Sequence, residues 1–355
     1  MRRLHSFQPH KCKTRAFSRK KVDEQFGGTD TGGLFLQSFL EEADRLRPFV
    51  PPFRFSAFFS PEDTLLCVCA SESAFRRAKE ESREPTDVIR IAELTTGSGL
   101  VGIDLLLKDE KSRLLGLDVD QRACDIATGN AKLFKIERRA WFECADIWSD
   151  STIATLIAYD PNLLICNPPY VPEPGDQNLA LEAGAGPDGT AHLMRTLELV
   201  STVRPQTLAL SWCSLSDPAK VIRRAGEAGY ALNSLFVVAI ADGEYSGSVR
   251  DYLRTLPCAY INENSDTVAT IGPDGSARFA YLLMAGEFSR RMDGGSAAET
   301  ASAVEHLCAR FASDGLSALE HPELSFPATS WVLDRWDELE LRVMLHGRTK
   351  MTRIG

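Results

Sequence analysis

The chain has 355 residues, 40 Lys+Arg against 49 Asp+Glu, a net charge of −9 and an ordinary 44% of hydrophobic residues. That length buries a core without staples and allows two domains, or one large domain with appendages. No apolar run approaches the roughly 20 residues of a membrane span, so no membrane association is expected.

Residues 1–22 hold eight Lys/Arg and no acid, which leaves −17 on the remaining 333 residues. A body this acidic argues against broad wrapping of nucleic acid, while the basic arm keeps a local contact open. Residues 1–33 run from this arm into FGGTDTGG and read as a disordered arm. A transit peptide would share their basic, acid-free character, so organelle targeting stays open beside a cytoplasmic location. Residues 34–47 show a helical apolar face, and Pro48, Pro51 and Pro52 end it. Residues 53–70 read as a hairpin, within which Cys67 and Cys69 alternate as on a strand, and 71–84 as a surface helix. Together 34–85 form a small N-terminal module. The nine cysteines include no CxxC pair, so no metal site is expected, and most sit in apolar runs as buried thiols of a reducing compartment.

From residue 86 to 288 apolar runs of strand length recur at 88–94, 114–119, 140–145, 162–167, 207–212, 235–240 and 279–285. Helical stretches at 99–108, 121–135, 189–201 and 217–228 separate most of them. The alternation predicts an α/β fold, a doubly wound seven-stranded and mostly parallel sheet. The polar, Gly-rich segment 241–278 carries a short helix near 247–255, and the strand after it is expected to be antiparallel. Residues 289–355 form an extension: a linker at 292–296, a helix at 297–314, and a segment in which Trp331, Leu333 and Trp336 pack on something, Trp331 and Trp336 either covering a hydrophobic edge of the main domain or forming a partner surface.

The first strand of the alternating region runs into Glu93-Leu94-Thr95-Thr96-Gly97-Ser98-Gly99-Leu100-Val101-Gly102. This is GxGxxG between strand and helix, and Asp118 ends the next strand. Glycines let the backbone approach a ligand, and an acid at the second strand's end suits ribose hydroxyls. A nicotinamide cofactor, a flavin and S-adenosylmethionine all fit. Glu93 leans toward the last, because a carboxylate there can face an ammonium and would repel a pyrophosphate. The fourth strand ends in Asn167-Pro168-Pro169-Tyr170, at the rim where open α/β sheets bind ligands. The prolines stiffen the loop and leave carbonyls free to accept. Asn167 offers one acceptor and two donors, and Tyr170 a flat face. The set suits a planar nitrogen nucleophile, an amide or an exocyclic amine.

With ELTTGSG at 93–99, LDVD at 117–120, NAKLF at 130–134, CADIW at 144–148, NPPYVP at 167–172 and LEAGAGPDGTAHLMR at 181–195, the sequence resembles class I S-adenosylmethionine-dependent methyltransferases that carry Asn-Pro-Pro-Tyr. Within these it is most similar to the HemK/PrmC-type glutamine N5-methyltransferases, over about residues 86–240. Such enzymes methylate the glutamine of a Gly-Gly-Gln motif in translation release factors. The resemblance implies a Rossmann-like fold, S-adenosylmethionine as cofactor and a protein partner such as a translation factor. It implies that Glu93, Thr95, Gly97 and Gly99 hold the methionine part, Asp118 the ribose, and Asp146 the adenine amine with Ile147 beside the ring. Asn167, Pro168, Pro169 and Tyr170 would hold the target nitrogen, Asn167 bordering both sites. Glu182 matches the acid that follows the loop, a position that an ordinary solvated acid fills equally well.

Three departures stand out. Thr95 replaces the usual first glycine of the loop. A Pro-Arg-Pro-x-Thr-Glu type segment is absent, with SPEDTL at 60–65 a weak counterpart. The flanks do not match the family's helical substrate domain. N-methylation of a base amine, with Tyr170 stacking on a flipped base, or of a small-molecule amine are the alternatives within the class. An NAD(P)-dependent oxidoreductase is the alternative outside it. Oligomeric state is not encoded legibly.

Overall fold

The computed structural model describes residues 61–82, 88–176, 179–263, 279–290, 297–315, 317–320, 329–333 and 351–354. The basic arm, the helix expected at 34–47, the linker at 292–296 and Trp336 lie outside the described residues.

Four short apolar strands start the fold: β1 (Arg90–Leu94), β2 (Arg113–Asp118), β3 (Ala140–Cys144) and β4 (Leu163–Cys166). They pair in parallel, β1 between β2 and β4 with β3 outermost. Parallel neighbours need crossovers, and three helices supply them: α2 (Leu100–Lys108), α3 (Gln121–Leu133) and α4 (Asp150–Tyr159). Each start has a local cause. Gly99 precedes α2 at φ 76, a left-handed conformation that glycine adopts without strain. The Asp120 carboxylate accepts from Arg122 N ahead of α3, and the Ser149 hydroxyl from Ser151 N ahead of α4.

The second half adds α5 (Ala191–Val203), β5 (Thr207–Cys213), α6 (Pro218–Glu227), β6 (Tyr230–Ala241), the short helices α7 (Glu244–Ser248) and α8 (Arg250–Leu253), and β7 (Ala280–Arg290). The order of the seven expected strands is β3-β2-β1-β4-β5-β7-β6. β7 inserts antiparallel between β5 and β6, as the lack of a crossover helix before it predicted. After α9 (Ala297–Asp314) and α10 (Ser317–Glu320), β8 (Thr329–Leu333) and β9 (Met351–Ile354) extend the β6 edge, giving nine strands among the described residues. Trp331 thus lies on a strand, paired in register with Phe236. None of the described helices is long and apolar enough to cross a membrane.

The expected hairpin at 53–70 and surface helix at 71–84 are corrected over the described residues. Pro61–Glu80 is one helix, α1. It packs on β5, β7, β6 and α2, with Leu66, Cys67, Val68, Ala70, Ser71, Ala74 and Ala78 almost wholly buried. A helix buried nearly all round loses the 3.6-residue period that would reveal it, and its small Cys, Ala and Ser side chains let it lie close to the sheet. The Glu287 carboxylate of β7 is fully buried; it accepts from Arg77 Nε and Ser73 Oγ of α1 and from Asn233 Nδ2 of β6.

Candidate active site

The carboxyl ends of β1 to β4 gather the residues singled out by sequence at one rim. Glu93 is the next-to-last residue of β1, in register with Gly116 and Ile165, and is 4% exposed. Its Oε2 accepts from Thr96 Oγ1 (2.8 Å) and from Gly102 N (3.2 Å). A Cβ on Gly102 would stand 2.6 Å from that oxygen, so the third glycine of the motif makes room for the acid rather than for a ligand. Burial pushes the Glu93 carboxyl up to about 8, against the opposing pull of the two hydrogen bonds.

Asp118, at the end of β2, accepts from Gly97 N (2.8 Å) and Asp120 N (3.0 Å). The same carboxylate that sequence places on ribose hydroxyls therefore braces the glycine loop. Burial raises its pKa from the ordinary aspartate value, and the two backbone donors work against that. Gly97 and Gly99 both take positive φ. A Cβ at Gly99 would approach the Phe142 ring to 3.0 Å. Beyond β3, Asp146 is exposed and its Oδ1 caps the following turn through Trp148 N (3.0 Å). Ile147 is buried at 6%, and its carbonyl accepts from Arg195 Nε of α5. Two glycines in left-handed backbone, one acid on the second strand and a buried apolar side chain after the third fit a nucleoside-bearing ligand.

After β4, Asn167 is half-buried, Pro168 buried and Pro169 half-buried. Asn167 Oδ1 is buried and has no hydrogen-bond partner. Tyr170 departs from expectation. It is only 8% exposed, and burial, helped by the Asp63 carboxyl of α1 beside it, holds its phenol well above the ordinary value. The cause lies in the next residues. Val171 N donates to Ala183 O and Ala185 N to Val171 O, which folds the chain back and turns the tyrosine into the core.

The loop 173–189 is organised by groups that sequence reasoning passed over. The Glu173 carboxylate accepts from Leu179 N (2.9 Å) and Gly186 N (3.3 Å). Tyr245 of α7 donates to Glu182 Oε1 (2.8 Å), and Tyr252 of α8 to Pro187 O (2.9 Å). Glu182 is thus anchored by the segment between β6 and β7. His192, in the first turn of α5, sets its ring edge-on to Trp148 at 6.0 Å. Its Nδ1 is buried without a partner, and burial lowers its pKa. Its place in the stretch after the Asp188-Gly189 turn was the only available signal.

The chain is similar to release factor glutamine methyltransferases. It is 34% identical over 102 residues to that of Chlorobaculum tepidum, covering 29% of this chain and 34% of the relative. It is 37% identical over 83 residues to that of Rhodospirillum rubrum, covering 23% and 24%. It is 29% identical over 101 residues to the human MTRF1L release factor glutamine methyltransferase, covering 28% and 30%. The chain spans between 24% and 43% of the length of the curated relatives it matches. No family model matches it. Among solved structures, the E. cuniculi Mtq2–Trm112 complex, responsible for methylating the eRF1 termination factor, aligns at TM-score 0.33 and 16% identity, over 65% of this chain and 97% of that one.

Proposed function

We propose that this protein is an S-adenosylmethionine-dependent N-methyltransferase whose acceptor is the side-chain amide of a protein glutamine, in a translation release factor. The observation that carries the reading is Asn167 Oδ1, a buried acceptor with no partner at the carboxyl end of β4. Leaving such a group unmade costs about 1–3 kcal/mol, and an incoming amide N–H would satisfy it. The similarity to release factor glutamine methyltransferases points the same way.

Each part of the rim then has work. Glu93, Gly97 and Gly99 line the aminoacyl end, Asp118 the ribose, and Asp146 with Ile147 the adenine. When bound, S-adenosylmethionine would supply an electrophilic methyl on its sulfonium, with the S–C bonding pair staying on sulfur and the amide proton leaving to water. Asn167 orients the amide: its Oδ1 and the Pro168 carbonyl accept the two N–H groups, which raises electron density on nitrogen and aims its lone pair. Positioning is the main contribution of the protein, and misplacement by about 1 Å costs around 10²-fold.

The base-amine alternative needs an open tyrosine face for stacking, and Tyr170 is 8% exposed with its hydroxyl engaged by Asp63. The similarities give no support to an oxidoreductase. In the test, the full chain is incubated with methyl-labelled S-adenosylmethionine and a purified release factor. Label should enter a glutamine. Asn167→Ala should lower turnover about 10²-fold while calorimetry shows cofactor affinity little changed. Turnover equal to wild type in that variant, or label in nucleic acid or small molecules from whole extract instead, would overturn the reading.

A further inference from the structure

Thr95 occupies the first position of the glycine loop with φ 52. A β-branched residue in left-handed backbone is a strained outlier, and a glycine would sit there freely. Something must offset the strain, and the hydroxyl shows what. Thr95 Oγ1 lies 2.6 Å from Leu94 O and 3.0 Å from Asn167 O, its single proton shared between these two carbonyls, and 3.8 Å from Cys166 Sγ. The pairing of Leu94 with Cys166 across β1 and β4 brings the two loops side by side. Cys166 in turn contacts Thr196 Oγ1 of α5 at 3.4 Å.

We infer that Thr95 is a positioning residue for the methyl acceptor, its hydroxyl fixing the Asn167 carbonyl and so linking the cofactor loop to the acceptor loop. This rests on the methyltransferase reading above and assigns the residue a part that cofactor contact alone would not. The Asn167 carbonyl belongs to the peptide plane that carries Pro168, and Pro168 has no N–H with which to anchor itself. Holding that carbonyl therefore sets the direction in which both the Asn167 side chain and the Pro168 carbonyl face. A glycine at 95 would satisfy the backbone and leave this link unmade.

Three full-length variants separate the possibilities. Thr95→Val keeps the shape without the hydroxyl. Thr95→Gly fits the left-handed backbone and also lacks the hydroxyl, so it reports even where valine strains the loop. Thr95→Ser keeps the hydroxyl. At saturating cofactor, kcat on the release factor should fall about ten- to a hundredfold in Val and Gly and recover in Ser, with S-adenosylmethionine affinity by calorimetry close to wild type in all three. A readout independent of turnover is hydrogen exchange of the peptide spanning 166–173. It should speed up about fivefold in Val and Gly, the opening equivalent of one lost hydrogen bond, and stay unchanged in Ser. Exchange that is the same in all variants, or a loss of cofactor affinity with kcat intact, overturns the assignment of Thr95. A wild-type protein that binds no S-adenosylmethionine overturns the methyltransferase reading instead, and the exchange result still judges the Thr95–Asn167 link.

Discussion

At the scale of residues, the site is built from polar groups placed where water cannot help them. Glu93 is the clearest case, with its carboxyl pushed up to about 8 by burial from an ordinary value near 4.5. A carboxyl whose folded pKa is raised stabilises the fold most fully below its unfolded pKa. That stability is lost as pH climbs from about 4.5 through about 8, because ionisation is cheap in the unfolded chain and costly in the folded one. Glu93→Gln keeps an oxygen for Thr96 and Gly102 and never ionises. The variant's melting temperature relative to wild type should therefore rise steadily between pH 5 and pH 8 and level off above, as thermal melts across that range would show. A difference that does not change with pH would mean that Glu93 titrates normally. Residue types and spacing made this acid, the glycines and the Asn-Pro-Pro-Tyr loop legible in sequence. They could not show that Asp118 braces Gly97 N or that Tyr170 turns inward, because both depend on contacts between segments far apart in the chain.

At the scale of elements, the strands were readable because buried parallel strands are continuous apolar runs. The crossover helix Asp150–Tyr159 and α1 were not. Each departs from a clean amphipathic pattern, α1 because almost every side is buried. Among the polar links that fasten α1 are Asp63 to Tyr170, and Arg77 with Ser73 to Glu287. The second is an ion pair whose acid is fully buried while Arg77 is partly exposed. Removing the arginine leaves the acid with only Asn233 and Ser73 as donors. Arg77→Ala should cost about 2 kcal/mol, below the range for fully buried pairs because Arg77 is already partly hydrated. Adding Glu287→Gln should recover part of that loss, since a neutral amide needs no countercharge. Denaturant titration of the single and double variants checks this, and a double variant less stable than Arg77→Ala would show that packing, not charge, holds the helix.

At the scale of the whole molecule, the sheet has two different edges. On one side β3 ends it with five residues, of which Trp141, Glu143 and Cys144 are exposed. On the other, β6 has twelve residues, most of them buried, and would be a long apolar edge if it stood last. β8 covers it in parallel from Ser234 to Val237, and β9 then closes the sheet with four residues, Met351–Ile354. A long unpaired apolar strand is a template for pairing with another chain, whereas a short one is poorly suited to it. The C-terminal extension, whose tryptophans sequence read as covering a hydrophobic edge or forming a partner surface, supplies the strands that cover this edge. Ending the chain after Glu320 removes both strands while leaving α9 on α6 and the rim at the ends of β1 to β4 untouched. Such a truncation should bind S-adenosylmethionine nearly as well as the full chain but self-associate as concentration rises, which light scattering after size exclusion would register. A truncated protein that keeps the full chain's oligomeric state and melting temperature at every concentration would mean that β8 and β9 do not protect the edge.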